Sequence, residues 1–212
     1  MFMSRTLFSL KTLAAVSAFA MTLPAYAADW VVDQAHSKVG FSVRHMMIST
    51  VDGQFKDFEG TFTFDPKKGT LGNSKFEVKA ASIDTGNAKR DEHLRSADFF
   101  DAEKFPMISI TNSKIKKTGK DKYEWAGDLT LHGVTKPVKF ALVHKGTVKD
   151  MQGKNRAGFS ATTKINRKDW GLTWNKAVEA GPVVSDEVEL KIDAEAVEAE
   201  GAAAAATATP AK

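Results

Sequence analysis

Five histidines, His36, His45, His93, His132 and His144, are the residues of this chain best suited to chemistry near neutral pH, as metal ligands or as a general base. None stands in an HxH, an HExxH or a similarly close-spaced ligand set, so no metal site is assigned. Asp91-Glu92-His93 sets carboxylates beside a base, but three consecutive residues of a helix do not share a face. The chain has no GxSxG elbow, no P-loop and no dinucleotide fingerprint. It also has no cysteine, which removes disulfides, thiolate nucleophiles and sulfur-ligated metals. No catalytic residue and no cofactor is assigned, and binding stands ahead of catalysis.

Sharper candidates are polar residues on an otherwise apolar phase, since an inward polar group needs a partner or a ligand. His45 continues Val39, Phe41 and Val43, and His144 continues Val138, Phe140 and Leu142. Thr163 sits between Ala161 and Ile165, and Asp186 between Val184 and Val188. An inward histidine and an inward aspartate could pair and steady a core; alternatively His45 donates a hydrogen bond to a ligand head group. Arg44, Lys89, Arg90 and Arg95 gather near the end of the first strand and a short helix, either as a solvated face or as partners for a pyrophosphate. The head-group candidates are therefore Arg44, His45, Arg90, His144 and Asp186.

These residues are positioned by strands. Val39, Phe41 and Val43 alternate with Gly40, Ser42 and Arg44, and Phe58, Phe62 and Phe64 share a face with Gly60. The same period of two runs through Phe76 to Ala80, Tyr123 to Leu131 and Val184 to Ile192, placing every apolar residue of a strand on one side. Turn signals at Asp65-Pro66-Lys67-Lys68-Gly69, Thr118 to Asp121, His132-Gly133 and Lys149 to Asn155 separate them. The expected strands lie near 30–45, 51–65, 73–83, 105–117, 121–132, 136–148, 156–166 and 183–197. Asn87 to Ala97 lacks the alternation, opens on a capping residue and carries Asp91 and Glu92 early, which predicts a short helix. Ile108, Ile110 and Ile115 change parity within one strand, which predicts a bulge. Antiparallel strands wet on one side must close into a barrel or stack in a sandwich.

The first residues belong to another purpose. Arg5 and Lys11 precede an apolar run from Leu13 to Leu23, followed by Ala25-Tyr26-Ala27, the small-x-small pattern of a cleavable export signal. The expected organisation is a signal peptide over 1–27, a barrel over 28–198 and a disordered alanine-rich tail over 199–212. The whole chain holds 30 basic and 26 acidic residues, two of the basic ones in the leader, so the remainder is nearly neutral and gives no argument for nucleic acid.

Four ordered stretches resemble the YceI-like, polyisoprenoid-binding family. They are Asp33-Gln34-Ala35-His36-Ser37-Lys38-Val39-Gly40-Phe41-Ser42-Val43-Arg44-His45; Arg90 to Phe100 with Pro106 beyond; Gly127 to Val138; and Ile165-Asn166-Arg167-Lys168-Asp169-Trp170-Gly171. The resemblance spans 29–197. It implies an all-β fold, an eight-stranded antiparallel lipocalin-like barrel with one short helix, exported to the bacterial periplasm. It also implies a carrier with no established catalytic residues that holds a long isoprenoid or related amphiphile. By itself the alternation favours a filled core over a lined cavity. The resemblance favours the cavity, lined by Val39, Phe41, Val43, Met46, Met47, Phe62, Phe64, Phe76, Ile108, Ile110, Leu129, Leu131, Phe140, Leu142, Phe159, Trp170, Val188 and Leu190. The expected partners are a small-molecule lipid ligand and no nucleic acid. A homodimer paired mouth to mouth and a membrane-protein partner, as in an interaction module of an envelope redox or stress-response system, complete the alternatives.

Overall fold

A computed structural model describes residues 28–65, 68–178 and 181–199; the expected leader and the tail from 200 onward lie outside the described residues. In chain order the strands are β1 (Ala28–Val32), β2 (Lys38–His45), β3 (Ser49–Phe55), β4 (Phe58–Asp65), β5 (Thr70–Lys79) and β6 (Ile83–Asp84). After helix α1 (Ala88–Arg95) come β7 (Met107–Gly119), β8 (Lys122–Leu131), β9 (Val134–Lys149), β10 (Asn155–Asn166), β11 (Ala177–Val178), β12 (Gly181–Pro182) and β13 (Val184–Glu198). The neighbours run β1-β4-β5-β7-β8-β9-β10-β13, and β13 returns to β1, closing eight antiparallel strands into a barrel.

Three of the expected strands are bent rather than straight. The first is split into β1 and β2 by a 3-10 turn at Gln34–His36, capped where the Asp33 side chain accepts from the Ala35 amide. The second breaks at Lys56 and Asp57, and the third ends in a 3-10 turn at Ala80–Ser82 before β6. The bends let β1 pair with β4 and β2 with β3, while both β1 and β2 remain on one edge of β13. The expected bulge is present in β7: register against β8 shifts between Thr111 and Lys114, with Asn112 in the left-handed region at φ 51°. The β8–β9 hairpin turns on His132 and Gly133, both left-handed, the mirror-image turn whose twist matches the flanking strands.

Two apolar clusters fill most of the interior. At one end Phe62, Phe64, Tyr123 and Phe159 meet edge to face and cluster with Trp30 around Ala157 and Ala196, whose small side chains leave room for the rings. Toward the other end the buried wall is Trp125, Leu129, Leu131, Phe140, Ala161 and Ile165, contributed by β8, β9 and β10. The expected alternation thus becomes one continuous inner face.

The bend after β1 is tied across the barrel seam by Arg156 of β10. Its Nη1 donates to Asp33 Oδ2 at 2.8 Å and to Glu195 Oε1 at 2.6 Å, and its Nε donates to Asp150 Oδ2 at 2.9 Å. Hydrogen bonds from His36 and then Arg156 hold the Asp33 carboxyl at about 2, below its ordinary 3.8. A depressed carboxyl stabilises the fold fully above its unfolded pKa and loses that contribution as pH falls through the folded value. Arg156→Met is expected to lower the melting temperature by several degrees. It should also shrink the fall in stability that the native protein shows on passing from about pH 4 to about pH 2. Thermal melts between pH 6 and pH 2 check this, and parallel curves for the two proteins would show that Arg156 does not set the Asp33 titration.

Candidate functional site

The inner face does not meet itself everywhere. Against the packed wall of β8, β9 and β10, the inward residues of β2 (Val39, Phe41, Val43), β5 (Phe76, Val78), β7 (Ile108) and β13 (Val188, Leu190, Ile192) stay only half-buried. They border a cavity of about 240 Å³, whereas a single water needs roughly 10–15 Å³ of such space. Apolar side chains that alternation turns inward, yet that keep accessible surface, define a lined hollow rather than a finished core.

Val39, Phe41, Val43, Phe62, Phe64, Phe76, Ile108, Ile110, Leu129, Leu131, Phe140, Leu142, Phe159, Val188 and Leu190 all line the hollow. Three residues expected there do not. Met46 and Met47 form the tip of the β2–β3 hairpin, beyond the last inward position of β2. Trp170 is 3% exposed but lies behind the wall, where its Nε1 donates to the Leu129 carbonyl at 3.1 Å. Residues the alternation missed complete the lining: Leu94 of α1 and Phe99 and Phe100 just after it, Leu172 from the connection after β10, and Arg167. The helix and its flank are too short for a periodic signal, and Leu94 with Phe99-Phe100 was the visible clue.

The polar candidates sit elsewhere than the alternation suggests. His144 does point inward, but at the packed end, against Phe64 at 5.3 Å and Phe159 at 5.2 Å, with its Nε2 paired to the Thr147 hydroxyl at 3.1 Å. Burial pushes its pKa below the ordinary 6.5. It is a packed core histidine and does not line the hollow. His45 ends β2 opposite Val184 and Ser49, also off the lining. Asp186 loses its inward phase because register between β13 and β2 shifts from Val184 to Val188; it turns outward to Lys168 Nζ at 2.8 Å. Arg44 is exposed and donates to the Met47 carbonyl and the Thr50 hydroxyl. Arg90, likewise exposed, donates to the Thr85 hydroxyl and carbonyl. These geometries remove all five head-group candidates from the cavity wall.

Arg167 takes the polar position instead. Only 4% exposed, its guanidinium donates to the carbonyls of Ser185 (3.0 Å), Leu172 (2.5 Å) and Trp174 (2.8 Å). Its carboxylate contact, Asp186 Oδ1, is long at 3.4 Å and is shared with Lys168. Burial lowers its pKa from the usual guanidinium value, with only Asp186 acting the other way. Carbonyls satisfy its Nε and Nη1 hydrogens without cancelling its charge, so this end of the hollow favours an electron-rich group. Among the described residues, Asp33, His36 and Glu195 offer metal-ligand spacing, with ligand atoms within 4.8 Å of one another. Arg156 already bonds both carboxylates there, so their charge is met without an ion.

A YceI-like domain is matched over residues 30–196. The protein YceI of Salmonella newport is 42% identical over 176 residues, covering 82% of this chain and 89% of that one. Among solved structures, Burkholderia cenocepacia BcnA aligns with a TM-score of 0.69 at 26% identity, over 77% of this chain and 98% of its own. A polyisoprenoid binding domain from Saccharophagus degradans, implicated in plant cell wall breakdown, shares the fold with a TM-score of 0.60 at 15% identity. That alignment covers 82% of this chain and 100% of the domain.

The His144 geometry carries a pH signature. An imidazole kept neutral by burial leaves the fold fully stable above pH 6.5 and costs stability as pH falls below it, because the unfolded chain then binds the proton more readily. His144→Phe keeps the ring packing and should flatten that acid-side decline, read as the difference between native and variant melting temperatures from pH 8 to pH 5. A constant difference across that range would overturn the assignment.

Proposed function

The chain belongs to the YceI-like family, and from that premise we propose that it is a periplasmic carrier for a long, slender apolar lipid of the polyprenyl or quinone type. The observation that carries this reading is the row of half-buried apolar side chains around an internal hollow of about 240 Å³. Each buried CH₂ contributes about 0.8 kcal/mol, so a five-carbon isoprene unit supplies about 4 kcal/mol of gross transfer energy. Association costs on the order of 4–15 kcal/mol, which a few such units offset. Arg167 supports a polar terminus at one end of the bound chain: a carbonyl, hydroxyl or phosphate oxygen accepts from its Nη2, which holds only the long Asp186 contact, while the tail extends among Phe41, Phe76, Ile108 and Leu190.

The binding of a polyisoprenoid by a protein of the same fold supports the ligand class. The leader with its Ala25-Tyr26-Ala27 site supports export and removal of the first 27 residues. The lining is apolar apart from Ser37, Lys38, Glu59, Glu77, Ser109 and Arg167, and that predominance of apolar side chains supports retention of a lipid tail.

The test is mass spectrometry of an organic extract from protein taken gently out of the periplasm, with an isoprenoid or similar amphiphile expected in stoichiometric amount. Leu190→Trp, which fills the hollow from β13, is expected to lower lipid retention at least tenfold with the circular dichroism spectrum unchanged. Arg167→Lys keeps the charge but loses the planar fork; it should weaken a head-bearing lipid more than a plain hydrocarbon of equal length. An empty extract from folded protein, with no uptake of added lipid, would overturn the carrier reading.

A further inference from the structure

The β2–β3 hairpin presents an apolar tip that the barrel does not use. Ile48 is 77% exposed and Met47 49% exposed, adjacent residues at the turn. Met46 and Met47 stand in the left-handed region at φ 48° and 61°, where glycine or asparagine is the usual choice. The chain therefore accepts backbone strain in order to place large apolar side chains in solvent, whereas the β8–β9 hairpin makes the same kind of turn with Gly133 in its second position.

Position and charge identify what the tip meets. The Met46 amide donates to the Val183 carbonyl at 2.8 Å, and His45 pairs with Val184, which lines the hollow, so the tip stands on the cavity's rim. Arg44 donates to the Met47 carbonyl at 2.9 Å and to the Thr50 hydroxyl at 3.1 Å. Among the described residues it pairs with no carboxylate, so the tip carries an uncompensated positive charge just behind its apolar end. Two apolar side chains ahead of a guanidinium match the layers of a bilayer surface, acyl chains beneath phosphates. The near-neutral charge balance beyond the leader does not oppose this, since the match is local.

We propose that the Met46-Met47-Ile48 tip docks on a phospholipid bilayer and places the mouth of the hollow where lipid enters and leaves. The role as an entry point rests on the carrier reading; the docking itself does not. The experiment uses protein from the soluble fraction of cells expressing the full chain, so that native and variant forms share the same N-terminus. Each is incubated with vesicles of phosphatidylethanolamine and phosphatidylglycerol and separated by flotation.

Met47→Asp with Ile48→Asp is expected to reduce the vesicle-bound fraction at least fivefold. A second variant, Met46→Asn with Met47→Gly, relieves the left-handed strain and should raise the melting temperature by about 2–4 °C while still lowering vesicle binding. Unchanged flotation in both variants, or no flotation of the native protein, overturns the proposal. So does a loss of dimer in the aspartate variant with flotation intact, which would make the tip a contact between copies. Lipid retention without vesicles is measured in parallel: native protein that retains lipid but ignores vesicles refutes docking alone, and one that floats but retains no lipid refutes the carrier reading alone.

Discussion

Closure of the sheet through β13 is the constraint on which the rest of the molecule depends. One edge of this strand pairs with β10 from Asn166↔Glu187 to Arg156↔Val197, and the other holds β2 and then β1. Without that double pairing the first and last strands would present open edges with unpaired amides and carbonyls. With it, eight strands fix the barrel's radius, and the radius fixes how much space the inward side chains must fill.

The filling is unequal by design of side-chain size. At one end, aromatic rings from β1, β4, β8 and β10 interlock over Ala157 and Ala196, and His144 completes the layer among them. Toward the other end, β2, β7 and β13 bring Val39, Val43, Ile108, Val188 and Ile192, which stay only half-buried around the hollow. An unfilled interior forfeits dispersion contacts that a tight core would gain. A flexible apolar chain recovers them on entering, so the deficit in packing and the capacity to bind are one property.

Local irregularities decide which polar groups touch that space. The register shift in β13 against β2 frees Ser185 to accept from the Arg44 amide and turns Asp186 outward. The connection after β10 folds back so that the carbonyls of Leu172 and Trp174 converge on Arg167. Neither device belongs to a regular strand, and together they replace the evenly spaced polar candidates with one buried guanidinium.

The amino-acid sequence by itself determined which apolar strand residues turn inward, where the hairpins fall, the short helix and the bulge in β7. Those follow from period-two alternation, turn residues and a parity break, each set by covalent neighbours. Four ordered stretches of the chain were enough to indicate its family. Tertiary structure alone decided that the interior is hollow, because emptiness depends on the radius at which eight strands close and not on any one strand's pattern. It alone displaced His45, His144, Asp186, Arg44 and Arg90 from the cavity and installed Arg167. A side chain's partners there come from segments that are distant in sequence or follow a bulge, and at a bulge the count of two no longer tells in from out.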